Sequence, residues 1–119
     1  MGKIKILLSV LIISALGLTA AGQASSKQVS ATKTETFKVL GKCDMCKTRI
    51  EKTVKVDGVT SANWDTKSEM LTVVYNPSKT SIDALSKKLA LVGHDTEKYK
   101  ATDEAYAKLP ECCHYDRAK

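Results

Sequence analysis

Gly41-Lys42-Cys43-Asp44-Met45-Cys46-Lys47-Thr48-Arg49-Ile50-Glu51-Lys52-Thr53-Val54 is the stretch on which the reading of the fold turns. Cys46, Ile50 and Val54 recur at a spacing of four with charged residues between them, so they share one face of a helix. That helix closes near Asp57-Gly58, and Cys46 falls in its first turn. Cys43 falls in the loop before it. Free backbone N–H groups and the positive end of the helix dipole meet there, and both favour thiolate over thiol.

Working upstream, Phe37 and Val39 alternate with Thr36 and Lys38, which predicts a half-buried strand over 36–40 ended by Gly41. Downstream, 59–65 and 70–76 read as strands, the second with Leu71, Val73 and Tyr75 on one side. The polar Thr66-Lys67-Ser68 between them predicts a hairpin. Pro77 stops the strand, and Thr80 or Ser81 can cap a helix carrying Ile82, Leu85, Leu89 and Val92 before Gly93. A short extended segment over 94–100 follows, then a helical turn starting at Thr102 and a closing run, Leu109-Pro110-Glu111-Cys112-Cys113-His114-Tyr115. Strand, helix, strand, strand, helix, strand implies an α+β fold of ferredoxin-like type. Its antiparallel sheet carries both helices on one face.

Ahead of this domain, Lys3 and Lys5 precede an apolar run over 6–18, and Ala20, Ala21, Gly22 and Ala24 follow. The run is shorter than the roughly 20 residues that span a bilayer. The layout is that of a secretory signal over 1–24, cleaved after Ala24, which predicts a periplasmic or secreted protein not attached to the membrane. Residues 25–34 have little to bury and read as a flexible leader, 35–100 as the domain and 101–119 as a C-terminal extension. One small domain exhausts the length.

Removing Lys3 and Lys5 from the 19 basic residues leaves 17 against 13 acidic ones, a net charge of +4. The lysines are interspersed with acids, as in Lys47, Arg49, Glu51, Lys52 and Lys55, which reads as solvated helix faces rather than a nucleic-acid footprint. No paired carboxylates, phosphate loop or nucleophile triad is present, so the chain reads as a binding protein and not an enzyme.

Cys43-Asp44-Met45-Cys46 is a Cys-x-x-Cys, whose spacing alone fits a metal clamp, half of a zinc site or a redox dithiol. Its position between the first strand and first helix narrows the choice. There the chain resembles the heavy-metal-associated domain family, which includes copper chaperones, the metal-binding domains of copper-transporting ATPases and the periplasmic mercury-binding protein. The resemblance covers roughly 35–100. It rests on Gly41-Lys42-Cys43-Asp44-Met45-Cys46 entering a helix, Val56-Asp57-Gly58-Val59 leaving it, Val73-Val74-Tyr75-Asn76-Pro77, and Leu91-Val92-Gly93-His94. It departs at Gly41-Lys42-Cys43, which lacks the methionine of the family's usual Gly-Met-x-Cys and is one residue shorter. The resemblance implies a β-α-β-β-α-β fold and a soft ion on Cys43 and Cys46, passed to a partner by ligand exchange. The partner class is a metal-transporting ATPase or another metal acceptor protein. Cu(I) is the first expectation, with Hg(II), Zn(II), Cd(II) or Ag(I) behind it.

Three further candidates stand outside the pair. His94 follows a helix-ending glycine, where an imidazole offers a third ligand or a hydrogen bond to a cysteine sulfur, against the reading of an ordinary loop histidine. Cys112, Cys113 and His114 present three soft or borderline ligands in succession, either a second site or a cap over the first. In an oxidising compartment one tail cysteine could instead form a disulfide with Cys43 or Cys46. Met45 and Met70 are not expected to be ligands, and Trp64 is expected to pack on the sheet. The competing function is a thiol-disulfide redox protein in which Cys43 attacks and Cys46 resolves.

Overall fold

The computed structural model describes residues 31–117, so the segment read as a secretory signal and most of the segment read as a leader lie outside the described residues. The chain divides into two units, Met1–Ala31 and Thr32–Lys119, and every element named here belongs to the second. Its elements are β1 (Lys33–Lys38), α1 (Asp44–Val54), β2 (Val59–Trp64), β3 (Met70–Tyr75), α2 (Ile82–Leu91), α3 (Asp103–Ala107) and a 3₁₀ turn (Glu111–Cys113). The sheet is antiparallel throughout, in the order β1-β3-β2.

Strand β1 starts three residues earlier than its hydrophobic pattern indicates. It pairs with β3 along its whole length, from Lys33 opposite Tyr75 to Lys38 opposite Met70. Backbone pairing holds these polar residues, helped by the Tyr75 hydroxyl, which donates to Glu35 at 2.6 Å. The β2–β3 turn is the hairpin expected from Thr66-Lys67-Ser68. Asp65 Oδ2 accepts from the Ser68 N–H at 2.7 Å, and Glu69 takes a left-handed φ of 63°.

The core lies between sheet and helices. Phe37, Val59, Trp64, Leu71, Val73 and Tyr75 from the strands meet Cys46, Ile50 and Val54 of α1 and Leu85 and Leu89 of α2. Each large aliphatic buried there contributes roughly 1.5–3 kcal/mol. The Cys46–Ile50–Val54 face is therefore the inward face of α1, as its spacing of four requires. Ser81 caps α2, its side chain accepting from the Ala84 N–H. The buried apolar face of α2 ends at Ala90, since Leu91 and Val92 are exposed.

The last strand is where the sequence pattern misleads. Residues 94–100 form no strand; their backbone links to the residues just after β1 are one bridge, Val39 with Thr96, and the Leu40 N–H to Asp95 carbonyl bond at 2.9 Å. Competing partners explain it. The Asp95 N–H donates to the Tyr115 hydroxyl at 2.9 Å, and that hydroxyl donates to the Gly93 carbonyl at 2.6 Å. Beyond Thr96 the chain turns back on itself through Thr96–Tyr99 hydrogen bonds. The extension thus supplies hydrogen-bond partners for the backbone of Gly93 and Asp95. Thr102 caps α3, so the helical turn begins where the sequence places it. Among the described residues no helix is long and apolar enough to cross a membrane.

Candidate metal centre

Cys43 is the N-cap residue of α1, in an extended conformation, and Cys46 sits one turn in with its side chain fully buried. The loop reaches this position by lying flat on Trp64. A Cβ added to Gly41 would come within 2.9 Å of two carbons of the Trp64 ring and 3.2 Å of the Cys46 Cβ. Trp64 is itself fixed by its indole N–H, which donates to the Val39 carbonyl at 2.9 Å. The indole underlies the shortened loop, and glycine is what lets the loop approach it.

From the other side, the extension brings Cys112 and Cys113 to the same point. The Cys43 sulfur lies 3.7 Å from that of Cys46, 3.2 Å from that of Cys112 and 3.3 Å from that of Cys113; Cys112 and Cys113 are 4.0 Å apart. All four cysteines are free thiols. Cys43, Cys112 and Cys113 form a group whose donor atoms all lie within 4.8 Å of one another, a spacing able to hold a metal ion. Cys113 is buried, Cys43 half-buried and Cys112 exposed. Met45, half exposed, adds a fifth soft atom, its sulfur 3.4 Å from that of Cys112.

Electrostatics divide the thiols. Burial pushes Cys43 up, but the Cys112 thiol, the Cys46 N–H and the thiols of Cys113 and Cys46 outweigh it and bring Cys43 down to about 7. Hydrogen bonding to Cys43 pushes Cys112 up to about 11. Burial pushes Cys113 up to about 11, opposed by Arg49, whose Nη1 lies 3.4 Å from the Cys113 sulfur. Cys43 therefore carries negative charge ahead of Cys112 and Cys113 in the metal-free protein.

The histidines are placed differently. His94 is fully buried, its Nδ1 2.8 Å from the Leu40 carbonyl, which requires the proton on Nδ1. Its Nε2 has no hydrogen-bond partner. Burial lowers its pKa, so the imidazole is neutral. The His114 ring stacks on Tyr106 with centroids 4.9 Å apart, and its Nε2 is likewise buried without a partner. Neither histidine joins the sulfur group.

Sequence reasoning missed the residues that hold the extension down. Arg117 donates from Nε and Nη2 to the two carboxylate oxygens of buried Asp95 at 3.0 and 2.9 Å, and from Nη2 to the Ala101 carbonyl at 2.6 Å. The Tyr106 hydroxyl donates to the Tyr115 carbonyl at 2.6 Å. It also missed Arg49 and Lys47, which it read as a solvated face. Lys47 instead binds Glu51 at 2.6 Å and the Trp64 carbonyl at 2.9 Å, locking α1 to β2. The one available signal was that Arg49 lies one turn after Cys46.

The heavy-metal-associated domain matches residues 36–95. A copper-exporting P-type ATPase of Staphylococcus saprophyticus is 43% identical over 63 residues, which are 52% of this chain and 8% of the ATPase. The chain therefore corresponds to a small part of that curated relative. Among solved structures, the CopZ metallochaperone superposes with a TM-score of 0.52 at 29% identity, covering 54% of this chain and 98% of that one. Oxidised MerP from Ralstonia metallidurans CH34 superposes with a TM-score of 0.53 at 30% identity, covering 56% and 96%. The extension with Cys112 and Cys113 lies beyond the matched domain.

Proposed function

The chain belongs to the heavy-metal-associated domain family, and from that premise we propose that it is an exported, non-enzymatic carrier of a soft ion, foremost Cu(I), held on Cys43 and Cys46. The supporting observation is the pair itself. Two sulfurs 3.7 Å apart sit at a helix N-terminus, one of them held near neutrality, in a chain 43% identical to part of a copper-exporting ATPase. Thiolates select soft ions.

Transfer proceeds by ligand exchange. A thiolate of an acceptor, such as the metal-binding domain of a metal-transporting ATPase, bonds to the ion from the exposed side, and one cysteine of the pair then leaves. The metal's oxidation state does not change. Export, to the periplasm or beyond the cell, rests on the signal-like layout of residues 1–24.

The test is transfer. Protein loaded with Cu(I) without oxygen is mixed with the metal-free metal-binding domain of a copper-exporting ATPase, and the ion is followed by NMR. Cu(I) should appear on the acceptor faster than it dissociates to a small-molecule chelator, and Cys43→Ser/Cys46→Ser should carry none. A protein that loads no Cu(I) but cycles between dithiol and disulfide with a partner protein would be a redox protein instead.

A further inference from the structure

We propose that Cys112 and Cys113 of the C-terminal extension are themselves metal ligands, closing a site of three or four sulfurs over the ion. This inference rests on the carrier reading and adds to it ligands that lie outside the family's matched residues.

Three observations carry it. The first is convergence: Cys43 has the sulfurs of Cys112 and Cys113 at 3.2 and 3.3 Å, nearer than that of Cys46 at 3.7 Å, although 69 and 70 residues separate them in sequence. The second is spacing. With metal–sulfur bonds of about 2.3 Å, a linear two-coordinate ion sets its sulfurs about 4.6 Å apart, and trigonal or tetrahedral ions set them about 3.8 to 4.0 Å apart. The Cys43–Cys46 and Cys112–Cys113 separations of 3.7 and 4.0 Å match the higher coordination numbers, while the Cys43–Cys112 and Cys43–Cys113 separations of 3.2 and 3.3 Å have to open by roughly half an ångström as an ion enters.

The third is anchoring. The extension is not draped loosely over the loop. Tyr115 bonds the backbone of Gly93 and Asp95, and Arg117 makes a two-point ion pair with a carboxylate that is 1% exposed. Cys113 lies between these anchors and α1, with the Arg49 guanidinium beside its sulfur to offset charge as thiolates gather. Exposed Cys112 and half-exposed Met45 mark the side from which the ion enters and leaves. Each thiol that ligates gives its proton to solvent. No sulfur is oxidised.

X-ray absorption on the anaerobic, reduced, Cu(I)-loaded protein counts the sulfurs, and competition with a chelator measures affinity. The wild type should show three or more sulfur neighbours. Cys112→Ser/Cys113→Ser should show two and lose roughly a hundredfold in affinity, at least the cost of removing a partner that only supports a ligand. Because Cys113 is buried, Cys112→Ser alone serves where the double variant fails to fold; its exposed side chain can be changed without touching the core, and it should remove one sulfur. Two sulfurs in the wild type, with unchanged affinity in Cys112→Ser, overturn this inference and leave the carrier reading standing. A wild type that does not compete for Cu(I) at all overturns both.

Discussion

At the scale of single residues, Cys43 is distinguished by its neighbours. In the reduced, metal-free protein its alkylation by iodoacetamide should rise to half-maximum at about pH 7, while Cys112 and Cys113, pushed to about 11, react only in strong alkali. Mass spectrometry of the labelled peptides checks the order; preferential labelling of Cys112 at neutral pH would contradict it. Gly41 is a steric requirement. Gly41→Ala places a methyl against the fixed Trp64 ring and should cost about 1–3 kcal/mol in urea unfolding, as overpacking does. The Cys-x-x-Cys and the burial of Trp64 were legible from spacing and residue type. That Cys112 and Cys113 reach Cys43 was one of the alternatives the Cys-Cys-His run left open, because nothing local encodes a contact across about seventy residues. The same holds for His94, whose burial against the Leu40 carbonyl depends on how the chain closes.

At the scale of elements, periodicity served where an element packs one face on the core. The α1 spacing of four and the β3 alternation are both kept. It failed at 94–100, where a tyrosine hydroxyl from the extension takes the hydrogen bonds a strand would have made. The extension is thus held by polar anchors together with Leu109 and Cys113, which join the core without a periodic pattern to announce them. Arg117→Ala strands the carboxylate of Asp95 with the Ala101 N–H as its remaining partner, and should cost about 3 kcal/mol, the scale of breaking a buried ion pair. Hydrogen exchange at Asp95 and Tyr115 should accelerate, while that of β3 keeps its order as the slowest region. Protection unchanged at Tyr115 would mean that Arg117 is not the anchor.

For the whole molecule, the charges predict how stability depends on pH. Burial raises Asp95, but Arg117 and the Ala101 N–H hold its carboxyl below the usual carboxylate range. Glu51 is held down by Lys47 and the Trp64 N–H against burial, and Asp65 by Ser68. Each binds fewer protons folded than unfolded. Their stabilisation is therefore complete above the unfolded values of about 4 and is lost as pH falls through the folded ones. Buried His94, also held down by burial, adds a loss that begins as pH falls below its unfolded value of about 6.5. Urea midpoints should therefore decline from about pH 6.5 and fall more steeply below about pH 4, with a smaller acid drop in Arg117→Ala, which has already lost the Asp95 contribution. Parallel curves for the two proteins would contradict the assignment.

Whether a soft ion sits on Cys43 and Cys46 is decided by an anaerobic Cu(I) titration of the reduced protein against a competing chelator. Binding should be tight and one-to-one, and should disappear in Cys43→Ser/Cys46→Ser while the fold, followed by circular dichroism, is kept. Equal competition by the wild type and the folded double-serine variant would contradict this.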